Sequence, residues 1–161
     1  QNNPLMQKFD KALMKLPVLG QLISDSIMAR ITMVLANLIS GGVNLIEAME
    51  IVKNSIGNTQ IQSSLEQVKR DVFSGKPFSS ALRDTKDFPE TMCGFIEVGE
   101  ETGKLNEMLT TVSLYYEEEF DNSVDNFSQL LEPIMIVFLG LVIGFILVAM
   151  YTPIFKMGTA I

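Results

Sequence analysis

Three carboxylates, Glu97, Glu100 and Glu101, crowd around Gly99 and Gly103 in the middle of the chain. Carboxylates at such spacing can exchange protons as acid and base, or hold a divalent cation. Neither chemistry is completed by the surrounding residues. The spacing is not that of a calcium loop, and the chain has no histidine, the commonest general base and zinc ligand. The glycines instead suit a tight turn between two helices, with the acids favouring the start of the helix that follows. A loop that docks a partner is the functional alternative.

Glu117, Glu118 and Glu119, with Asp121 and Asp125, form a second acidic group. They read as a solvated helix face or as a docking surface for a basic partner. Tyr115 and Tyr116 beside them read as packing residues. Serine and threonine are plentiful, but none has an activating histidine or a phosphate-loop lysine near it. Gly41-Gly42 and Gly57 lack phosphate-binding spacing. No ATPase, hydrolase or redox site assembles from these residues, so a non-enzymatic protein without cofactor or metal is expected. The lone Cys93 allows no intrachain disulfide, which fits a reducing cytoplasm.

The segment that organises everything else is the run from Pro133 to Phe155, which carries no charge between Glu132 and Lys156. As a helix it is about 34 Å long, enough to cross a hydrocarbon core of about 30 Å. All 19 acidic residues precede it, with 11 of the 12 lysines and arginines, giving the preceding segment a formal charge of −8. That argues against nucleic acid as a partner. Within the run, Gly140 and Gly144 stand one helical turn apart. They give a flat strip for close approach of another membrane helix, such as a second copy in a homo-oligomer.

Residues 1–16 form a linker or lead-in. Leu5, Phe9, Leu13 and Leu16 recur at helical spacing, flanked by Lys8, Lys11 and Lys15. This pattern suits a basic amphipathic segment on a membrane surface, or one packed on the domain. Residues 17–132 read as six helices. Ile23, Ile27, Ile31, Val34 and Leu38 give the first apolar stripe. Asn44 and Glu47 form a capping-box-like start for the second, with Leu45, Met49, Val52 and Ile56 buried. Thr59 is placed to cap the third, where Ile61, Leu65, Val68 and Val72 face inward and Glu66, Lys69, Arg70 and Asp71 face water. A short helix around Phe78–Leu82 follows. Phe88-Pro89 starts the fifth, with Met92, Phe95 and Ile96 inward. The last helix starts near Lys104 and carries Leu105, Met108, Val112, Tyr116, Phe120, Phe127 and Leu131. It continues into the membrane, with a bend at Pro133. The fold expected is all-α, an antiparallel six-helix bundle whose last helix becomes a single carboxy-terminal transmembrane helix (133–155), followed by a short tail (156–161).

Several motifs resemble one known family. FPETMCGFIEVGEETGKLNEMLTTVSLYYEEE from Phe88 and LLEPIMIVFLGLVIGFILVAMYTPIF up to Phe155 resemble the type II secretion system protein F / type IV pilus PilC platform-protein family. LPVLGQL, LISGGVNLIEAM and FSGKPFSSAL match the same domain in order, so the resemblance covers about residues 16–155. Its motif residues are Gly99, Glu100, Thr102, Gly103 and Leu105, then Glu132 with Pro133, and Pro153 with Phe155. The resemblance implies a platform in the inner membrane of a bacterial or archaeal cell, with residues 1–132 in the cytoplasm. Such a platform couples a secretion or pilus ATPase to pilin or pseudopilin assembly alongside other inner-membrane assembly proteins. Family members usually carry two such helical domains and three spans. This chain has one of each, like a carboxy-terminal half, and its opening QNNP reads as part of a longer chain. The alternative is a tail-anchored helical adaptor that tethers partners at a membrane.

Overall fold

A computed structural model describes residues 17–160. The lead-in segment expected at Leu5–Leu16 lies outside the described residues. Six helices are present among the described residues: α1 (Pro17–Ser40), α2 (Leu45–Ser55), α3 (Thr59–Phe73), α4 (Phe78–Thr85), α5 (Glu90–Thr102) and α6 (Leu105–Gly158). The all-α bundle expected from the apolar periodicity is the observed one. Consecutive helices from α1 to α5 pack as neighbours.

Local sequence sets most helix ends. The Asn44 side chain accepts from the Glu47 amide at 3.0 Å and starts α2. For α3 the cap is Asn58, not Thr59, which is already helical. Asn58 Oδ1 accepts from the amides of Gln60 (3.0 Å) and Ile61 (3.2 Å). Asparagine competes well for this position because its short amide reaches the free N–H groups of the first turn. Proline occupies the N-cap of both α4 (Pro77) and α5 (Pro89), and neither gives a side-chain cap.

The core draws on every helix. Met28, Ile31 and Leu35 of α1 meet Met49 and Val52 of α2, Leu65 and Val68 of α3, Phe78 and Leu82 of α4, Met92 and Ile96 of α5, and Leu109 and Val112 of α6. On α1 the inward face is rotated from the expected stripe. Ile23 is exposed, Ile27, Val34 and Leu38 are half-buried, and Thr32 and Ala36 are buried beside Ile31 and Leu35. Thr32 avoids an unsatisfied hydroxyl by donating to the Met28 carbonyl at 2.8 Å. On α6 the buried stripe is Leu109, Val112 and Tyr116, while Phe120 and Phe127 are half-buried and Leu131 is exposed.

The polar edge of α3 does not simply face water. Lys53 of α2 reaches Glu50 (2.9 Å) and Glu66 (2.7 Å), and Lys69 of α3 reaches Glu50 (2.6 Å) and Glu66 (3.0 Å). Four charges of alternating sign thus staple α2 to α3. Hydrogen bonds from Lys53 and then Lys69 pull the Glu50 carboxyl down to about 2 and also lower that of Glu66. The same bonds raise both lysines. Depressed carboxylates stabilise the fold above their ordinary range and stop doing so as pH falls through their folded values. Raised lysines do the converse at the alkaline end. The melting temperature of the full chain in detergent should therefore be flat through neutrality, fall below about pH 4.5, and keep falling toward pH 2. Glu50→Gln with Glu66→Gln should lower the neutral plateau and shallow the acid limb. An unchanged acid limb would show that the staple adds nothing.

The chain divides into two compact units that meet between Asp121 and Asn122, within α6. In the first, the last core side chain along the sequence is Tyr116. In the second, α6 is long and apolar enough to cross a membrane, with mean hydropathy 2.8 and none of that stretch buried. Leu19–Ser40 also meets the length and composition test, at mean hydropathy 1.5. It carries Asp25 and Arg30 and buries Met28, Ile31, Leu35 and Ala36 in the core, so it is a core helix. The chain stays helical through Pro133 and Pro153. Pro133 has no N–H, so the Gln129 carbonyl loses its helical donor.

Candidate functional site

The motif residues around Gly99 meet where α4, α5 and α6 converge. They do not form a loop. Gly99 to Thr102 are the last turn of α5, and only Gly103 makes the turn, in the left-handed region at φ 71°. The amides of Gly103 and Lys104 both bond back to the Gly99 carbonyl, the latter at 2.8 Å, closing the helix in a Schellman-like stop. Thr102 adds a bond from its hydroxyl to the Val98 carbonyl at 2.7 Å. Gly99 has another reason to lack a side chain. A Cβ there would lie 2.9 Å from the Leu105 Cα and 3.1 Å from Met108 Cβ. The first turn of α6 packs directly on the α5 backbone.

Glu100 projects from α5 to the start of α4. One carboxylate oxygen accepts from the Phe78 amide at 2.5 Å, and the other accepts from the Ser79 amide at 3.1 Å and the Ser79 hydroxyl at 2.7 Å. It caps a helix whose own N-cap, Pro77, offers no side-chain acceptor. The carboxylates thus sit at the end of α5 rather than supporting the start of α6. Glu97 turns the other way, to Arg83 of α4 at 2.5 Å, and Arg83 also bonds Glu90 at 2.8 Å. These bonds hold Glu97 below the ordinary carboxylate range and raise Arg83. Glu101 is exposed. The expected carboxylate cluster is therefore split between two structural tasks that lock α4 onto α5.

Behind this corner the reactive groups are sequestered. Cys93 is fully buried, and burial pushes its thiol up to about 11, away from the thiolate form needed for nucleophilic work. Burial also raises the Tyr116 phenol, which bonds with the Met92 backbone. Tyr115 meets Tyr116 edge to face at 5.1 Å, an arrangement aromatic pairs favour; Tyr116 is buried in the core, whereas Tyr115 is exposed.

The second acidic group is a surface. Glu117 and Glu118 are exposed and Glu119 is half-buried on α6. Glu117, Phe120 and Asp121 face Ser26 and Ala29 of α1 across a shallow groove of about 270 Å³. Sequence spacing alone did not indicate this groove, because its two walls lie far apart in the chain. In the second unit, Glu132 and Pro133 are exposed on α6. A Cβ added at Gly140 or Gly144 would meet nothing within 4 Å, so this strip is open within the chain.

Comparison with known proteins identifies the framework. The family model for type II secretion system protein F matches residues 31–153. The type IV pilus assembly protein PilC of Pseudomonas aeruginosa is 38% identical over 152 residues, covering 94% of this chain and 41% of that protein. The PilC of Thermus thermophilus is 37% identical, covering 91% of this chain and 36% of the relative. The type II secretion system protein F of P. aeruginosa is 30% identical over 146 residues, again 91% and 36%. The chain thus spans about two fifths of the length of the curated relatives it matches. The match takes in the α4–α5–α6 corner and nearly all of the uncharged run, and on that ground the chain belongs to the type II secretion system protein F family.

Proposed function

We propose that this chain is a non-enzymatic platform module of a type II secretion or type IV pilus machine, seated in the inner membrane. In this role it couples a cytoplasmic ATPase to the assembly of pilin or pseudopilin subunits. The observation that carries the reading is the family match running from the helical bundle through α6 into its uncharged run. One continuous helix shared by a buried core and a lipid-soluble segment is suited to passing motion from one to the other, with Pro133 as a hinge. The relatives' names support pilus assembly and secretion as the setting.

The test is binding of the full chain, in lipid nanodiscs, to the ATPase of its own machine. Saturable binding that weakens with salt is expected, because the docking face is acidic. Glu117→Lys, Glu118→Lys and Glu119→Lys together should weaken it about tenfold. Binding no better than to empty nanodiscs would refute the coupling. Unaltered binding of the triple variant would remove this face from the proposal.

The strip at Gly140 and Gly144 supplies the membrane half of the reading, as a packing site for a second copy or for another assembly protein's helix. Isoleucine at both positions should separate the backbones while leaving the segment apolar enough to insert. Energy transfer between labelled chains in bilayers should fall for the double variant. Equal transfer would make the span an anchor without a preferred face.

A further inference from the structure

Asn122, Asn126 and Gln129 are exposed on the part of α6 that opens the second unit. They are spaced four and three, so their carboxamides stand one above another along one line of the helix. One turn on from Gln129 the line reaches Pro133, and two turns beyond that it reaches Gly140 and then Gly144. The open strip in the uncharged run and the carboxamides outside it thus share one face of a continuous helix. None of these residues is charged. Asp125 and Glu132 stand seven apart and flank the line on one side, and Glu119, at the step before Asn122, marks where it begins. The line also holds a free acceptor. Pro133 has no N–H, so the Gln129 carbonyl, which points along the helix toward it, lacks its helical donor. At the edge of the uncharged run an unpaired carbonyl costs more than it does in bulk water.

We propose that this line is a pairing seam between two copies of the chain, in which the Gln129 side-chain NH2 of each copy donates to the Gln129 backbone carbonyl of the other. Two arguments favour a second copy over lipid or another protein's helix. Copies related by a two-fold axis along the membrane normal meet residue against like residue at one depth. Carboxylates would repel there, whereas a carboxamide carries both donors and acceptors and so complements its own copy. The same axis puts the two copies' Asp125 on opposite flanks of the seam. The free carbonyl and the spare donor also belong to the same residue, so the two bonds are reciprocal. Gly140 and Gly144 continue the close approach of the backbones into the uncharged run. The inference builds on the membrane half of the proposed function and is independent of ATPase coupling, whose nanodisc test can fail while the seam stands.

The test uses the full chain in liposomes, with one cysteine added at a time: Asn122→Cys or Asn126→Cys on the line, Val124→Cys or Ser128→Cys off it. The native Cys93 is fully buried. After mild oxidation, disulfide-linked dimer should be about fivefold more abundant at the two positions on the line, since only cysteines whose Cα atoms come within about 7 Å can join. In the Asn126→Cys chain, Gln129→Met removes the side-chain donor, and Pro133→Ala gives the Gln129 carbonyl its own helical donor. Each should lower the dimer yield about fivefold, the loss of two weak interhelical bonds. Pro133→Ala strengthens the helix, so its effect cannot come from unfolding. The proposal is overturned if the four positions give equal yields, if Val124→Cys or Ser128→Cys gives the higher yield, or if Gln129→Met and Pro133→Ala both leave the yield unchanged. Energy transfer that falls in the glycine double variant, with no disulfide at the seam, would keep the glycine strip and overturn the seam. Disulfides at the seam with energy transfer unchanged in that variant would keep the seam and refute the strip.

Discussion

Valine in place of Gly99 should cost about 3 kcal/mol of stability, a fall in melting temperature of about 10 °C. The backbone at Gly99 is ordinary α-helix, so a side chain meets no strain in its own dihedral angles. Alanine there would even gain about 1 kcal/mol of helix propensity. The obstacle lies across the interface. The added carbon would sit 2.9 Å from the Leu105 Cα, and backbone cannot swing aside as the end of a side chain can. The first turn of α6 must move, taking the packing of Leu109 and Val112 with it. Gly99→Ala should fall between wild type and Gly99→Val. Thermal melts of the full chain in detergent read the effect, and an alanine variant more stable than wild type would show that the α5–α6 contact is loose.

The second large effect belongs to Glu100→Ala. Three hydrogen bonds to a charged acceptor end with that carboxylate, and Pro77 has no side-chain acceptor to replace it. A loss of about 2–3 kcal/mol is expected. Glu100→Gln should cost roughly half as much, since one oxygen still accepts while the new NH2 group opposes a donor. Amide exchange at Phe78 and Ser79 should speed up in both variants. A partner-docking role for Glu100 predicts a different result: weaker ATPase binding by the glutamine variant with its melting temperature unchanged.

These two neighbours show where sequence reading succeeds and where it stops. The helices are legible because their apolar residues recur every three to four positions, and the starts of α2, α4 and α5 carry Asn44 or proline. The phase of α1 was not, because it has apolar side chains on nearly every face, and several stripes fit equally well. Gly99 and Gly103 look alike in sequence, yet one permits close packing within a helix and the other a left-handed turn. Glu100 stands out beside Gly99 and Gly103, but its partners lie 21 and 22 residues back along the chain, a distance at which local patterns carry no information. The same holds for the α2–α3 ion pairs, whose partners lie 13 and 19 residues apart. Spacing on one helix shows that Glu66 and Lys69 are polar. It does not show that Glu50 and Lys53 face them.

The pairing of each helix with its successor from α1 to α5 also bears on how the chain acquires its structure during synthesis. Contacts between sequence neighbours form with little loop-closure entropy, so such a bundle folds on the fast side of the single-domain range. Domains also fold as units while the ribosome is still adding residues. Tyr116, the last side chain of the core, is made before any residue of the uncharged run. Every residue of the core among the described residues is therefore synthesised before the uncharged run is complete, so the last stage of making the bundle overlaps with the making of that run.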